Sequence, residues 1–290
     1  MDLASLLIQV LNAVQYGLLL FVVASGLTLI FGIMGIINLA HGSFYMIGAY
    51  MAFVLASATG SLALAILIGV PLALALGWLL ELLVFARLYR RDHLEQVLLT
   101  YGLILFFEEM RSIVVGDEVH SVAIPQLLRA SIALTSTLSY PVYRVMISVV
   151  CLVLAVGLYL LLRRTKLGMM IRAGSHDRDM VAALGINVSR VYRIVFALGV
   201  GLAAFAGMIA APVSTVYPGM GSDVLIVSFV IVVIGGIGSV WGALVAALII
   251  GFADTFGKVV FPEAAGIVVY LVMAAVLLWR PEGILRRGGG

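Results

Sequence analysis

The chain alternates between long apolar blocks and short polar connections. The blocks fall at roughly 8–31, 40–57, 61–85, 97–115, 142–162, 191–212, 224–235, 240–257 and 264–279. A helix needs about 20 apolar residues to cross the hydrocarbon of a bilayer, and most blocks are near that length. Helices are also the economical way to satisfy backbone polar groups in lipid. The pattern therefore predicts an all-α polytopic membrane protein with about 8–9 transmembrane or re-entrant helices. Of the 290 residues, 64% are hydrophobic and 11% charged. A soluble domain carries about 25% charged residues, so most of this surface faces lipid or other apolar helices. The one cysteine, Cys151, lies inside an apolar block, which excludes an internal disulfide and reads as packing.

The main interruption is a polar island from Arg163 to Arg193, RRTKLGMMIRAGSHDRDMVAALGINVSRVYR. It sets Arg163, Arg164, Lys166, Arg172, Arg178, Arg190 and Arg193 against Asp177 and Asp179. It also has the marks of a short helix. Ser175 or Asp177 supplies an N-cap, and both aspartates lie near the positive end of the helix dipole. Met180, Val181, Ala183 and Leu184 form an apolar side, and Gly185 supplies the left-handed residue that ends a helix. A short amphipathic helix at the membrane surface reads as a docking element. A basic loop that only fixes orientation is the alternative.

Fixed positive charge gathers at Arg87, Arg90 and Arg91, in the island, and at Arg280, Arg286 and Arg287. Positive loops stay inside, so these connections and the C-terminus are expected to be cytoplasmic. Connections 116–141 and 213–223 carry Asp117, Glu118 and Asp223 against Arg129, and are expected outside. Nine crossings put the N-terminus outside; a re-entrant 32–40 or 224–235 reverses that parity. The basic residues flank apolar spans, which argues against a nucleic-acid partner.

Two glycine-rich breaks interrupt the apolar pattern. One is FGIMGIINLAHGSFYMIGAY (31–50), with Asn38, His41 and Ser43 among its glycines; the other is IGGIGSVWG (234–242), with Gly235, Gly236, Gly238 and Ser239. Each precedes a returning helix, in the order span, break, span, short loop, span. This is a weak internal symmetry of two pseudo-repeated halves. Interrupted helices at matching positions point to a translocation path, because unwound backbone in a membrane must line a cavity or be buried in protein. Glycines that serve only close helix packing are the simpler reading of any one position, including Gly201–Gly207 and Gly242–Gly251.

Asn38 or His41 reads as a cap on a broken helix, with a proton carrier or a ligand contact as the alternative for His41. No second His or carboxylate stands at metal-ligand spacing. Glu81, near an inner helix end, is placed to snorkel. Glu108, Glu109 and Arg111, and likewise Asp254 and Lys258, are spaced to pair. GFADTFGKV (251–259) is not a phosphate loop: its glycines are one residue too far apart, and Val259 stands where Ser or Thr would hold magnesium. No nucleotide motif and no catalytic constellation is present, so the chain is expected to be neither an enzyme nor a complete pump.

The segments 31–50, 171–207 and 233–247 together resemble the LivH-type permease subunit of bacterial ABC importers for branched-chain amino acids. The likeness covers nearly the whole chain, in the same order and at similar spacing. It implies one permease domain over 1–290, with a cytoplasmic coupling loop at about 163–190 and periplasmic loops at about 116–141 and 213–223. It also implies a heterodimer with a LivM-type permease in the bacterial inner membrane. Two LivG/LivF-type ATPases would bind the ATP and Mg, and a periplasmic substrate-binding protein would deliver the cargo. Arg172, Ala173, Gly174, Asp177, Ala182, Ala183, Leu184 and Gly185 would then form the coupling helix and its flanks. Asn38, His41, Ser43, Gly235, Gly236, Gly238 and Ser239 would line the translocation path, and no cofactor would sit on this chain. The same subunit type serves importers of urea, short amides and small organic or aromatic acids. A stand-alone channel or ion-coupled carrier is the rival class, and it leaves the basic island unexplained.

Overall fold

The structure, a computed structural model, describes residues 3–89, 91–135 and 138–285. Arg90, Arg286 and Arg287, three of the orienting arginines, lie outside the described residues. The first half runs α1 (Leu3–Met34), α2 (His41–Thr59), α3 (Leu62–Leu83) and α4 (His93–Val115). A two-stranded antiparallel hairpin follows, β1 (Ser131–Thr135) and β2 (Leu138–Pro141), and leads into α5 (Val142–Arg164). The polar island folds as α6 (Lys166–Gly174) and α7 (Arg178–Ala183). The chain then continues through α8 (Val188–Ala210), α9 (Met220–Gly235), α10 (Val240–Val260) and α11 (Ala265–Trp279).

Each of the nine apolar blocks is a helix. Six helices, α1, α2, α3, α5, α8 and α10, are long and apolar enough to cross a membrane. α9 and α11 are shorter apolar helices, and α4 carries Glu108, Glu109 and Arg111 in its second half. The chain is a multi-pass, all-α membrane protein with one small hairpin. The hairpin lies in connection 116–141, where the apolar pattern marked no element.

α1 and α8 form the centre. α1 packs along α10, α8, α5 and α9, and α8 packs along α2 and α3. Small residues let these helices touch backbone to backbone. A Cβ on Gly48 would overlap the carbonyl of Ala204, and one on Gly207 would overlap that of Tyr45, which fixes α2 against α8. A Cβ on Gly251 would stand 2.7 Å from Cα of Gly17, which fixes α10 against α1. The packing reading of Gly207 and Gly251 is therefore correct.

α2 does not begin level with the end of α1. His41, its first residue, holds Nε2 3.0 Å from the carbonyl of Val23. Val23 lies eleven residues before Met34, about 16 Å back along α1 at 1.5 Å per residue. The segment between Gly35 and Ala40 thus climbs back into the bundle, with Ile36, Asn38 and Ala40 buried. Its backbone is satisfied locally: Ala40 N donates to Asn38 Oδ1 (3.1 Å), and His41 N to the Asn38 carbonyl (3.3 Å).

The two ends of the bundle differ. At one end, His120 and Val216 exchange backbone hydrogen bonds of 2.8 and 2.9 Å, joining 116–141 to 213–223. At the other end, Gly174 lies beside Ile33, and the Ile284 N–H donates to the Ile234 carbonyl at 2.8 Å. The end of α1, the island, and the segment after α11 therefore share one end.

Candidate functional site

The island is a helical hairpin projecting from the basic end. Thr165 caps α6, accepting from Gly168 N at 3.1 Å, and a Cβ on Gly168 would overlap the carbonyls of Leu161 and Leu162. The turn out of α5 is therefore tight, and Arg172 donates back to the Leu162 carbonyl across it. Asp177, one of the two candidate caps, starts α7 by accepting from Met180 N at 2.9 Å. Gly185 ends the helix with φ +81°. Its N–H bonds the Ala182 carbonyl, while Ile186 N–H reaches the Val181 carbonyl. That pair of bonds is the Schellman stop, in which glycine avoids the left-handed penalty.

The apolar side of α7 is split by the structure. Val181 alone turns inward and is buried, while Met180 and Leu184 are 59% and 72% exposed and Ala182 and Ala183 also face out. A helix this short buries a single apolar residue against the bundle, so the other apolar positions remain on the outside. Gly174 is buried; Arg172, Ala173, Asp177, Ala182, Ala183, Leu184 and Gly185 are exposed. Of the coupling residues inferred from the resemblance, all but Gly174 are therefore exposed, and Arg172 is tied back to the Leu162 carbonyl.

α7 is keyed to the membrane helices by Arg178, its first residue. The guanidinium lies 5.7 Å from the ring of Tyr89 and 5.5 Å from that of Tyr192, and the two rings meet edge to face at 4.9 Å. Arg178 is itself exposed, so this cation–aromatic contact is a modest but directional attachment. Tyr89 OH donates to Glu81 Oε1 at 2.7 Å, and Arg193 Nε lies 3.3 Å from Glu81 Oε2. Glu81 is completely buried, so it does not snorkel; two partners from the same end hold its charge inside. Burial, together with the Glu81 carboxylate, pushes the Tyr89 phenol above its ordinary range. Sequence spacing gave no sign of this cluster, because it joins Glu81 and Tyr89 to Arg178, Tyr192 and Arg193 in the other half of the chain.

The second break reaches the hairpin directly. A cavity of about 220 Å³ is lined by Thr28 and Gly32 of α1, Ile171 and Arg172 of α6, and Gly238 and Ser239. Ser239 caps α10 by accepting from Gly242 N at 3.0 Å. Gly236 and Gly238 have φ of +92° and +76°, which only glycine adopts without strain. Gly235 is pressed against Gly242, and a Cβ on Gly32 would stand 2.7 Å from Gly238 Cα. The end of α1 thus rests on the second break.

The first break is enclosed. Asn38 and His41 are fully buried and Ser43 nearly so. The His41 ring lies against α1, beside Val23 and Gly26, and meets Phe44 edge to face. Asn38 organises the turn before α2 through its side chain, whereas His41 reaches α1 instead of capping. His41 Nδ1, Asn38 Nδ2 and Thr28 Oγ1 are buried without a hydrogen-bond partner among the described residues. Ser239 and Gly238 therefore share a cavity with Arg172, while Asn38, His41 and Ser43 form a separate polar group deeper in the bundle.

At the other end, Arg111 collects Asp117 (2.9 Å), Glu108 (3.4 Å) and the Gly116 carbonyl (2.7 Å). Hydrogen bonds from Arg111 and Ser112 hold the Asp117 carboxyl below its usual range. Lys258 and Asp254 pair at 2.6 Å. The His120 ring stacks on Phe53 at 4.1 Å and sets the joint between the two connections.

The family described as branched-chain amino acid transport system / permease component matches residues 9–277. The chain is similar to the permease protein BraD of the high-affinity branched-chain amino acid transport system of Pseudomonas aeruginosa. The two are 32% identical over 96% of this chain and 95% of the relative. It is similar to the corresponding Escherichia coli permease protein LivH at 30% identity, over 96% of this chain and 95% of that one. A probable LivH permease of Methanocaldococcus jannaschii is 26% identical over 94% and 90% of the two chains. No solved structure matches the chain.

Proposed function

The chain belongs to the family of permease components of branched-chain amino acid transport systems, and from that premise we propose that it is one membrane subunit of an ATP-driven importer. Its cargo is a branched-chain or related amino acid, as the names of its relatives indicate for those proteins. It works with a second, LivM-type permease and two separate ATPase subunits that bind ATP and Mg. A substrate-binding protein delivers the cargo on the far side. The protein lies in the inner membrane, with the island, the 84–92 turn and the C-terminus in the cytoplasm, as the distribution of arginine favours.

The observation that carries this reading is the α6–α7 hairpin. α7 is capped by Asp177, stopped at Gly185 and clamped by Arg178, yet it leaves Met180, Ala183 and Leu184 exposed. A helix so firmly terminated, with apolar residues facing out at a charged end, fits a groove on another polypeptide. Closure of the ATPases on ATP would push the hairpin, and the helices that hold it would rock between two packings. The cavity that Arg172 shares with Ser239 supports a push that reaches the second break. Backbone amides and carbonyls uncovered at the breaks as the helices rock would meet the ends of a zwitterionic cargo without a buried formal charge.

The test is site-directed cross-linking in a Cys151→Ser background with Ala183→Cys, followed by transport in proteoliposomes. Capture of a nucleotide-hydrolysing protein, with uptake only when ATPases and binding protein are present, is the expected result. Uptake by this chain alone, driven by an ion gradient, would overturn it.

A further inference from the structure

Beyond transport, a groove between two membrane-spanning helices has the chemistry of a lipid site. α5 and α10 both pack on α1 but hardly on each other. A cleft of about 850 Å³ opens between them, with Phe21 of α1 in its floor. Leu152 and Val156 of α5 and Leu244 of α10 form its apolar walls. Tyr159 and Trp241 meet edge to face at 5.3 Å across it. Arg163, on the last turn of α5, and Arg172, on α6, line the same cleft at the basic end.

A cleft between membrane-spanning helices that is open to the bilayer fills with acyl chain, since chains are the solvent there. What is specific here is the mouth. Among the described residues, the Arg163 side chain bonds only the Tyr159 hydroxyl, at 2.7 Å, and that of Arg172 only the Leu162 carbonyl. Neither has a carboxylate within salt-bridge distance among the described residues, and both remain exposed. Two guanidinium groups without an anion, above an apolar channel flanked by Tyr and Trp, match a phosphate head and its chains. Basic pockets between membrane helices take anionic headgroups for this reason.

We propose that this cleft binds one phospholipid with an anionic headgroup, its chains along Phe21, Val156 and Leu244 and its phosphate on Arg163 and Arg172. Because Arg163 belongs to a membrane helix and Arg172 to the projecting hairpin, the phosphate ties the hairpin to the bundle. The site stands independently of whether an ATPase docks on α7.

Trp241 gives a direct readout, since the chain has three tryptophans and Trp78→Phe with Trp279→Phe leaves it alone. The full chain is reconstituted in phosphatidylcholine containing a minor fraction of lipid with brominated acyl chains, which quench nearby indole. Two arginines beside an anionic head are worth about 30-fold in preference. Brominated phosphatidylglycerol is therefore expected to quench Trp241 well above brominated phosphatidylcholine at equal mole fraction. The excess should vanish in Arg163→Gln/Arg172→Gln, whose retained helicity by circular dichroism shows that it still folds. Equal quenching by the two lipids, no quenching by either, or an excess that survives the double substitution would each overturn the proposal.

Discussion

Arg193 of α8 holds Nε 3.3 Å from the Oε2 of Glu81 on α3, and that carboxylate is completely buried. The pair is not aligned as a hydrogen bond, so its attraction is largely electrostatic, and Tyr89 OH supplies the directional bond at 2.7 Å. Removing one partner of a buried pair strands the other charge. Arg193→Leu is therefore expected to cost about 2–3 kcal/mol, below the full value for buried pairs because Arg193 keeps some solvent. Tyr89→Phe should cost less, about 1.5–2 kcal/mol for a bond to a charged acceptor. Adding Glu81→Leu to Arg193→Leu should recover stability. Thermal unfolding in detergent decides this, and a double variant no more stable than Arg193→Leu would contradict it.

Glycines on the helices divide into those that touch a neighbour and those that do not. A Cβ on Gly48 or Gly207 would overlap backbone of the facing helix, whereas one on Gly102 or Gly157 meets open space. Gly48→Ala and Gly207→Ala must push α2 from α8, at a cost of about 1–3 kcal/mol for overpacking. Gly102→Ala and Gly157→Ala should be neutral or stabilise by up to about 1 kcal/mol, the helix propensity gained. Melting temperatures of the four purified variants check the contrast. Similar losses in all four would mean that the helix contacts are wrongly placed.

Much of this architecture is legible in the chain because lipid imposes a strict rule. A run of apolar residues has almost no alternative to a helix, so every block became one. The α7 termini were equally readable, since Asp177 and Gly185 act within a few residues of themselves. What escaped was everything built from distant partners: the Arg178–Tyr89–Tyr192 clamp, the His120–Val216 joint and the cleft at Trp241. The 131–141 hairpin escaped because short strands outside the bilayer leave no hydrophobic period. Glu81 was misjudged as snorkelling because its two partners come from other segments.

Tyr217 predicts an alkaline limb. Its hydroxyl donates to Asp223 at 2.8 Å, and burial, then that carboxylate, pushes the phenol up to about 12. A raised pKa means the folded protein keeps a proton the unfolded chain releases. The linked stability is complete below pH 10, and is lost as pH rises through about 12. Tyr217→Phe should melt slightly lower at neutral pH, with the gap closing across that window. A gap that stays constant with pH would show that Tyr217 is not the titrating group.

Gly185 and Asp177 set the rigidity of the projecting helix. Gly185→Ala forces an L side chain to φ +81°, at about 1–2 kcal/mol, and Asp177→Ala loses a cap worth about 1 kcal/mol. Both changes are local to α7, so the melting temperature of the bundle should hardly move. Cargo-stimulated ATP hydrolysis by the assembled importer should fall in both, and Asp177→Asn should restore it because asparagine caps equally well. Normal stimulation in Gly185→Ala would show that α7 transmits nothing.

Ser239 offers the sharpest test of the path, since its structural role is already visible and must be separated from any other. It caps α10 through Gly242 N and lines the cavity shared with Arg172. Ser239→Leu removes the cap and fills the cavity, so lost transport there proves little by itself. Ser239→Asp keeps an N-cap acceptor and adds a negative charge to the cavity. If Ser239 only caps the helix, Ser239→Asp should match the parent in both melting temperature and uptake. If cargo passes the second break, the melting temperature should return while uptake stays several-fold below the parent, because a carboxylate there meets the carboxylate of the amino acid. Asn38→Leu, deeper in the bundle, extends the test to the first break. Normal uptake in both Ser239→Asp and Asn38→Leu would place the route elsewhere in the protein.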